Sequence, residues 1–250
     1  MPFAAFFDIL GTSHYFSSLP DDHDFGKDPD YLGYQYARKE FHRAISAAMD
    51  VYKDGLIFHA SFSDCAYLIY EQAEGISKAS SMIMRWTLGT VPLRGGIGFG
   101  NFGLGGASHK ADGRSISSES SFFGSSLVRA HTSEGCGLKG FRIFIHDSAV
   151  NELRKIHQGI IIYPEIDYSE FDDDEMPPPP DVGGTVIDII NPINPEVRHE
   201  LCFVGHDGLD LYFRKVSMLR KRFPPTESAL IHYEESLSLL TRFKELRESI

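Results

Sequence analysis

Two aspartates, each at the edge of an apolar run, are the residues of this chain best suited to chemistry: Asp8 in Phe6-Phe7-Asp8-Ile9-Leu10-Gly11 and Asp64 in Phe62-Ser63-Asp64-Cys65-Ala66-Tyr67. Alternation predicts a buried strand over residues 3–7 that ends at Asp8, and a hairpin with arms at 57–62 and 66–70 that turns at Asp64. Two carboxylates converging at a sheet edge repel each other unless a cation lies between them. Hard oxygen ligands of this kind suit Mg²⁺ or Mn²⁺ held together with phosphates. Taken singly, each aspartate has a plainer reading, Asp8 as a strand-end or N-cap residue before Gly11-Thr12-Ser13 and Asp64 as a turn residue. The pair points to phosphoryl transfer.

The elements that must position this pair are legible in outline. A polar loop at 19–30, with Pro20, Gly26 and Pro29, precedes a helix over 31–52 marked by Tyr34, Ala37, Phe41, Ile45, Ala48 and Val51. A second helix over 73–88 carries Ile76, Ala79, Ile83 and Trp86 on one face, and Pro92 separates it from a strand over 93–99. The order is strand, helix, hairpin, helix, strand. Downstream, residues 100–113 are glycine-rich and polar, a helix begins near Gly124, a strand covers 141–145 and a helix follows at 148–157. Helices on one side of a sheet, an α+β arrangement, satisfy that order. Residues 182–190 and 209–213 read as late strands. A helix from about 225 to 250 carries Leu230, Tyr233, Leu237, Leu240, Phe243 and Leu246 in one stripe, for which packing on its own domain is the simplest use. Residues 164–183 combine acidic side chains with four consecutive prolines and no lysine or arginine, which predicts a surface insertion or loop.

Composition narrows the function classes. The chain has 250 residues, is 42% hydrophobic and carries a formal charge of −11, which fits one domain with elaborations and argues against a nucleic-acid surface. Arg220-Lys221-Arg222 is its longest basic cluster and reads as a solvated helix or loop end. Cys65, Cys136 and Cys202 are too widely spaced for a zinc motif or a disulfide framework. No apolar stretch reaches membrane-spanning length and no signal peptide is evident, so a cytoplasmic location without membrane association is expected.

Two further segments complete the pattern: Leu93-Arg94-Gly95-Gly96-Ile97-Gly98-Phe99-Gly100, a glycine-rich strand with no P-loop lysine, and the run from Phe122-Phe123-Gly124 through Arg129 and His131 to Glu134. In this order FFDILG, FSDCAYLIY, LRGGIGFG and FFGSSLVRAHTSE resemble the class III nucleotidyl cyclase catalytic domain across roughly residues 1–150. Within it they look most like the bacterial pyrimidine cyclases of the Pycsar anti-phage defence system. The resemblance implies a ferredoxin-like βαββαβ sheet in a single catalytic domain over 1–250. It also implies a homodimer with two equivalent sites, and synthesis of cUMP or cCMP from UTP or CTP for a downstream effector.

The same resemblance assigns residues. Asp8, Asp64 and the Ile9 carbonyl would hold two Mg²⁺ or Mn²⁺ ions, and backbone amides from Leu10 through Gly11 and Thr12 to Ser13 would face the phosphates. Aligned on Gly124, the transition-state asparagine and arginine of ordinary class III cyclases fall on Val128 and Thr132, which cannot do that work, so Arg94 and Arg129 become the candidate catalytic cations. The purine-selecting positions carry Ala60 and Ser121, which suits a smaller base, with Tyr52 and Phe58 as candidate stacking aromatics. An adenylate or guanylate cyclase with unusual base recognition, and a degenerate nucleotide-binding domain that regulates without turnover, are the alternatives.

Overall fold

The computed structural model describes residues 1–17, 19–20, 22–87, 89–111, 114–137, 139–156, 186–194, 197–203, 209–222, 230–238 and 241. In chain order the elements are β1 (Phe3–Ile9), α1 (Thr12–Ser17), α2 (Pro29–Val51), β2 (Leu56–Ser61), β3 (Cys65–Tyr70), α3 (Ala73–Thr87), β4 (Leu93–Phe99), β5 (Gly103–Ala111), β6 (Arg114–Phe123), α4 (Ser125–Glu134), β7 (Ile143–Ile145), α5 (Asp147–Ile156), β8 (Val186–Asn194), β9 (Val197–Phe203), α6 (Leu209–Arg222) and α7 (residues 230–238).

Strand β1 is apolar at nearly every position because both of its faces are covered. Phe3, Ala5, Phe7 and Ile9 enter the larger core layer; Ala4 and Phe6 enter a smaller one on the opposite face. Alternation then puts Asp8 on the side of Ala4 and Phe6. β1 pairs antiparallel with β3 and with β4, and β2 pairs with β3, so the βαββαβ segment closes as β2-β3-β1-β4. This is the expected ferredoxin-like unit within a mixed α+β domain. β7 joins β4 in parallel, and β9 and β8 follow, extending the sheet to seven strands.

Two helices of the larger layer follow from their sequences. Asp28 caps α2 through the amides of Asp30 and Tyr31, Pro29 opens it, and Ala37, Phe41, Ala44, Ile45 and Ala48 bury one stripe. Ile76, Ala79 and Ile83 do the same for α3, and α5 adds Ala149, Val150 and Leu153. These three make the expected layer of helices on one face.

Helix α4 lies on the other face, across β4 and β1. The glycines of β4 permit this close approach. A β-carbon at Gly96 would meet the Ala130 carbonyl oxygen and stand 2.7 Å from the Glu134 nitrogen; one at Gly98 would stand 2.6 Å from the Ala130 nitrogen. At the start of α4, Gly124 has a φ of 144°, and Asn101 accepts from both the amide and the hydroxyl of Ser125, each at 2.7 Å.

Several expectations need correction. The strand expected at 209–213 belongs to α6: Leu209-Asp210-Leu211 alternates, but Phe213, Val216 and Leu219 recur every three residues, and Val216 and Leu219 are buried. The glycine-rich segment after β4 is a hairpin, β5 paired with β6. Strand β9 was not anticipated. The acidic, proline-rich insertion at 164–183 lies outside the described residues, as does most of 225–250. The described part of that terminal segment, α7, packs Tyr233 against Phe141 with ring centroids 4.9 Å apart. Among the described residues, no helix is long and apolar enough to cross a membrane.

Candidate active site

Asp8 sits one position from the end of β1, where its ladder partners are Cys65 on β3 and Arg94 on β4. The next amide, Ile9 N–H, donates to the Asp64 carbonyl oxygen at 2.9 Å, which draws the turn between β2 and β3 against the end of β1. The two sequence-predicted aspartates therefore meet. Their carboxylates are not alone, because Glu134, the last residue of α4, brings a third negative group to the same face.

Burial dominates the electrostatics here, and the neighbouring carboxylates outweigh Arg94. Burial pushes the Asp8 carboxyl up to about 7, with Glu134 and Asp64 adding to the rise and Arg94 opposing it. Burial also raises the Cys65 thiol to about 11, and Asp64 and Asp8 contribute. Tyr67 rises to about 12 through burial, with Cys65, Asp8 and Glu134 adding to it. Three different groups around one point thus resist ionisation, and a cation bound among them would favour the ionised form of Asp8.

Does the donor set suit a hard divalent ion? Asp8 and Asp64 offer carboxylate oxygens and Ile9 a carbonyl that already accepts from Thr12 Oγ1 at 3.1 Å and retains a second lone pair. Among the described residues, no three His, Cys, Asp or Glu side chains are gathered to hold a metal by themselves. Two carboxylates and a carbonyl still match Mg²⁺, which commonly takes one or two carboxylates and completes its shell with water and substrate phosphate. The residues fit.

The other expected residues divide. Leu10 N–H donates to the Pro92 carbonyl at 2.7 Å and so is committed to the fold, whereas Gly11 takes a φ of 89° and starts the turn into α1, where Thr12 is buried. Of Ser13 only its place in α1 is described. Arg94 is 6% exposed, donates to the Glu134 carbonyl oxygen, stands 3.6 Å from the Glu134 carboxylate and lies 5.4 Å over the Phe144 ring. It therefore caps the C-terminal end of α4 beside Asp8. Arg129 donates to the Phe99 carbonyl oxygen at 2.6 Å, closing the end of β4. Both candidate cations have internal partners.

Phe58, Ala60 and Ser121 lie around one aromatic patch, and Tyr52 does not. Phe58 is 5.5 Å from Phe102 and 5.4 Å from Phe122, while Tyr67, opposite Ala60 in the β2–β3 ladder, is 5.5 Å from Phe122. Ser121 neighbours Phe122 and donates its hydroxyl to the Gly105 carbonyl. Tyr52 ends α2 and packs against the larger core layer, on the far side of the sheet from Phe58. The His131 ring lies 5.0 Å from that of Phe6, tilted against it, and Val128 and Thr132 are exposed on α4.

Sequence reasoning missed two participants. Glu134 ends the row Ser126, Ala130, Glu134, spaced by four, and the packing of α4 on the β4 glycines is what shows that this row faces the sheet. In the sequence Tyr34 shows only as part of an apolar stripe. Its ring lies 5.1 Å from Phe16 and stacks at 6.3 Å on Tyr15, both on α1, and its hydroxyl shares a hydrogen bond with Ser63, which itself donates to Asp64 at 3.0 Å. Asp28 ties these parts together by accepting from Tyr15 at 2.5 Å while capping α2.

No family model matches the chain, and no curated protein matches it by sequence. Among solved structures it is similar to the catalytic core of a rhodopsin-guanylyl cyclase with converted specificity in complex with ATPalphaS, at 12% identity over 70% of this chain and 91% of that one, with a TM-score of 0.44. It is similar to the guanylyl cyclase Cya2 at 11% identity, over 83% of this chain and 94% of the other, with a TM-score of 0.45. For a bacterial light-regulated adenylyl cyclase the values are 11%, 88%, 97% and 0.41.

Proposed function

We propose that the chain is a pyrimidine nucleotide cyclase that converts UTP or CTP to the 3′,5′-cyclic monophosphate and pyrophosphate. The observation that carries this reading is the meeting of Asp8 and Asp64 at one sheet edge, where burial, then Glu134 and Asp64, push the Asp8 carboxyl up to about 7. The order of the four motifs, and small residues at Ala60 and Ser121 where purine-selecting side chains would stand, support the pyrimidine. A homodimer with two equivalent sites, and a role in anti-phage defence through an effector that senses the product, complete the reading.

In the reaction the ribose 3′-oxygen bonds to the α-phosphorus, the bond to the departing pyrophosphate breaks, and the hydroxyl proton passes to solvent. Two Mg²⁺ or Mn²⁺ ions, when bound, would acidify the 3′-hydroxyl and neutralise the leaving group. The chain's own residues do the rest. Asp8, Asp64 and the Ile9 carbonyl would hold the ions, the amides from Gly11 to Ser13 would face phosphate, and the patch of Phe58, Tyr67 and Phe122 offers a stacking surface for the base. Glu134 keeps Arg94 in place.

The test is to incubate the purified chain with Mn²⁺ and each of ATP, GTP, CTP and UTP separately and identify products by mass spectrometry beside Asp64→Ala. A cyclic pyrimidine monophosphate that disappears in the variant is the expected result. A cyclic purine product would move the chain to the adenylate or guanylate cyclases, and no cyclic product from any nucleotide would defeat the enzymatic reading.

A further inference from the structure

Four arginines of the sheet and of its helices are engaged within the fold. Arg94 holds the end of α4, Arg129 the end of β4, and Arg142 faces Glu235 at 3.6 Å. On α2, Arg43 donates to Glu40 at 3.1 Å. Arg38 is different. Among the described residues it makes no hydrogen bond or ion pair, although it is only partly exposed. It stands one helical turn after Tyr34, so both project from the same face of α2. Tyr34 in turn packs on α1, the helix that directly follows the Asp8–Gly11 turn, and feels the charges of both Asp64 and Arg38. Arg38 thus has no hydrogen-bond or ion-pair partner among the described residues and shares a face of α2 with Tyr34, which reaches the turn that carries Ser63 and Asp64.

We infer that Arg38 is the side chain that binds the polyphosphate of the substrate, with Tyr34 setting its position, in place of Arg94 or Arg129. This rests on the cyclase reading above and names a further residue of the same site. Chemistry favours the assignment. A triphosphate brings more negative charge than two carboxylate-held ions remove, and a guanidinium recognises phosphate oxygens through paired hydrogen bonds. Arg94 would have to abandon both the Glu134 carboxylate and the α4 carbonyl to do so, leaving buried groups unsatisfied. Arg38 gives up nothing.

The experiment is calorimetric titration of the full chain with inorganic tripolyphosphate in the presence of Mg²⁺, followed by steady-state kinetics with the nucleotides. Arg38→Ala should weaken tripolyphosphate binding tenfold or more with an unchanged melting temperature. Arg38→Lys should recover part of the loss, and Lys53→Ala should match wild type. With a turned-over nucleotide, Arg38→Ala should raise KM by a similar factor whichever base is used. Equal tripolyphosphate affinity in wild type and Arg38→Ala, or no binding by wild type, overturns the inference. Binding that depends on Arg38 in a chain that makes no cyclic nucleotide would sustain the inference and reject the cyclase reading. Unchanged binding in a chain that does make one would do the reverse.

Discussion

A carboxylate whose ionisation is opposed by burial and by two like charges costs the fold stability, and Asp8 is such a group. Its ordinary value is 3.8 and its folded value about 7. Between those values the native state binds more protons than the unfolded chain, so the penalty is absent below 3.8, grows with pH and is complete above 7. Asp8→Asn should therefore stabilise the chelator-treated protein by about 1–3 kcal/mol at pH 8, allowing for solvent screening, with a smaller gain at pH 5. Thermal melts in EDTA at the two pH values measure it. Adding Mn²⁺ should reverse the order, since only wild type gains from binding. If the variant melts at or below wild type at pH 8 in EDTA, the carboxylates do not repel as argued. Both aspartates were legible because a single charge closing an apolar run stands out in any sequence. Glu134 and Arg38 were not, since a charged residue on a helix is ordinarily a solvated one and only the packing of α4 and α2 sets these two apart.

At the scale of elements, the position of α4 depends on glycine and on one cap. Gly96→Ala should force α4 away from β4, because the new methyl group would collide with helix backbone, which cannot yield as a flexible side chain would. A loss of about 2–3 kcal/mol is expected by denaturant titration, together with weaker Mn²⁺ binding as Glu134 and Arg94 shift beside Asp8. Asn101→Ala, which removes the cap but no packing, should cost about 1 kcal/mol. A Gly96→Ala variant as stable as wild type would mean the helix has room that the geometry denies. The βαββαβ core was readable because its helices carry regular apolar stripes and its strands are bounded by turns. Phe213 to Leu219 misled because a helix beginning with Leu-Asp-Leu imitates alternation for its first turn, and only the longer window shows the period. In β4 the glycines signalled a close approach, yet nothing local named the partner.

At the scale of the whole molecule, the terminal segment is fastened by polar groups where the sequence showed an apolar stripe. In α7, Tyr233 is buried as expected, but His232 and Ser236 are buried beside it, accepting from the amides of Gly140 and Phe141. Burial, then the charges of Arg94, Lys139 and Arg142, lowers His232 from 6.5 to about 4, and its Nδ1 must stay unprotonated to accept from Gly140. The unfolded chain therefore binds the extra proton between 6.5 and 4, so the contribution is intact above 6.5 and is lost as pH falls towards 4. About 1–2 kcal/mol of stability should vanish over that window in wild type and not in His232→Gln, read from denaturant titrations at pH 7 and pH 4.5.

The surface around the aromatic patch is apolar for a different reason. Phe62, Leu104, Phe123 and Val128 are 48%, 54%, 60% and 66% exposed, and they border the aromatic patch on the face that bears Asp8. A second copy laid across that face would cover them and bring its own residues to the carboxylates, as the proposed homodimer requires. Val128→Glu places a charge there without touching the core, so stability should change by less than about 0.5 kcal/mol. Self-association, followed by sedimentation, should weaken at least tenfold, because burying an unpaired charge is costly. Cyclase turnover should fall in step with the dimer fraction and recover as protein concentration is raised. A chain that turns over as a monomer, or a Val128→Glu variant that associates like wild type, would place the second half of the site within one chain.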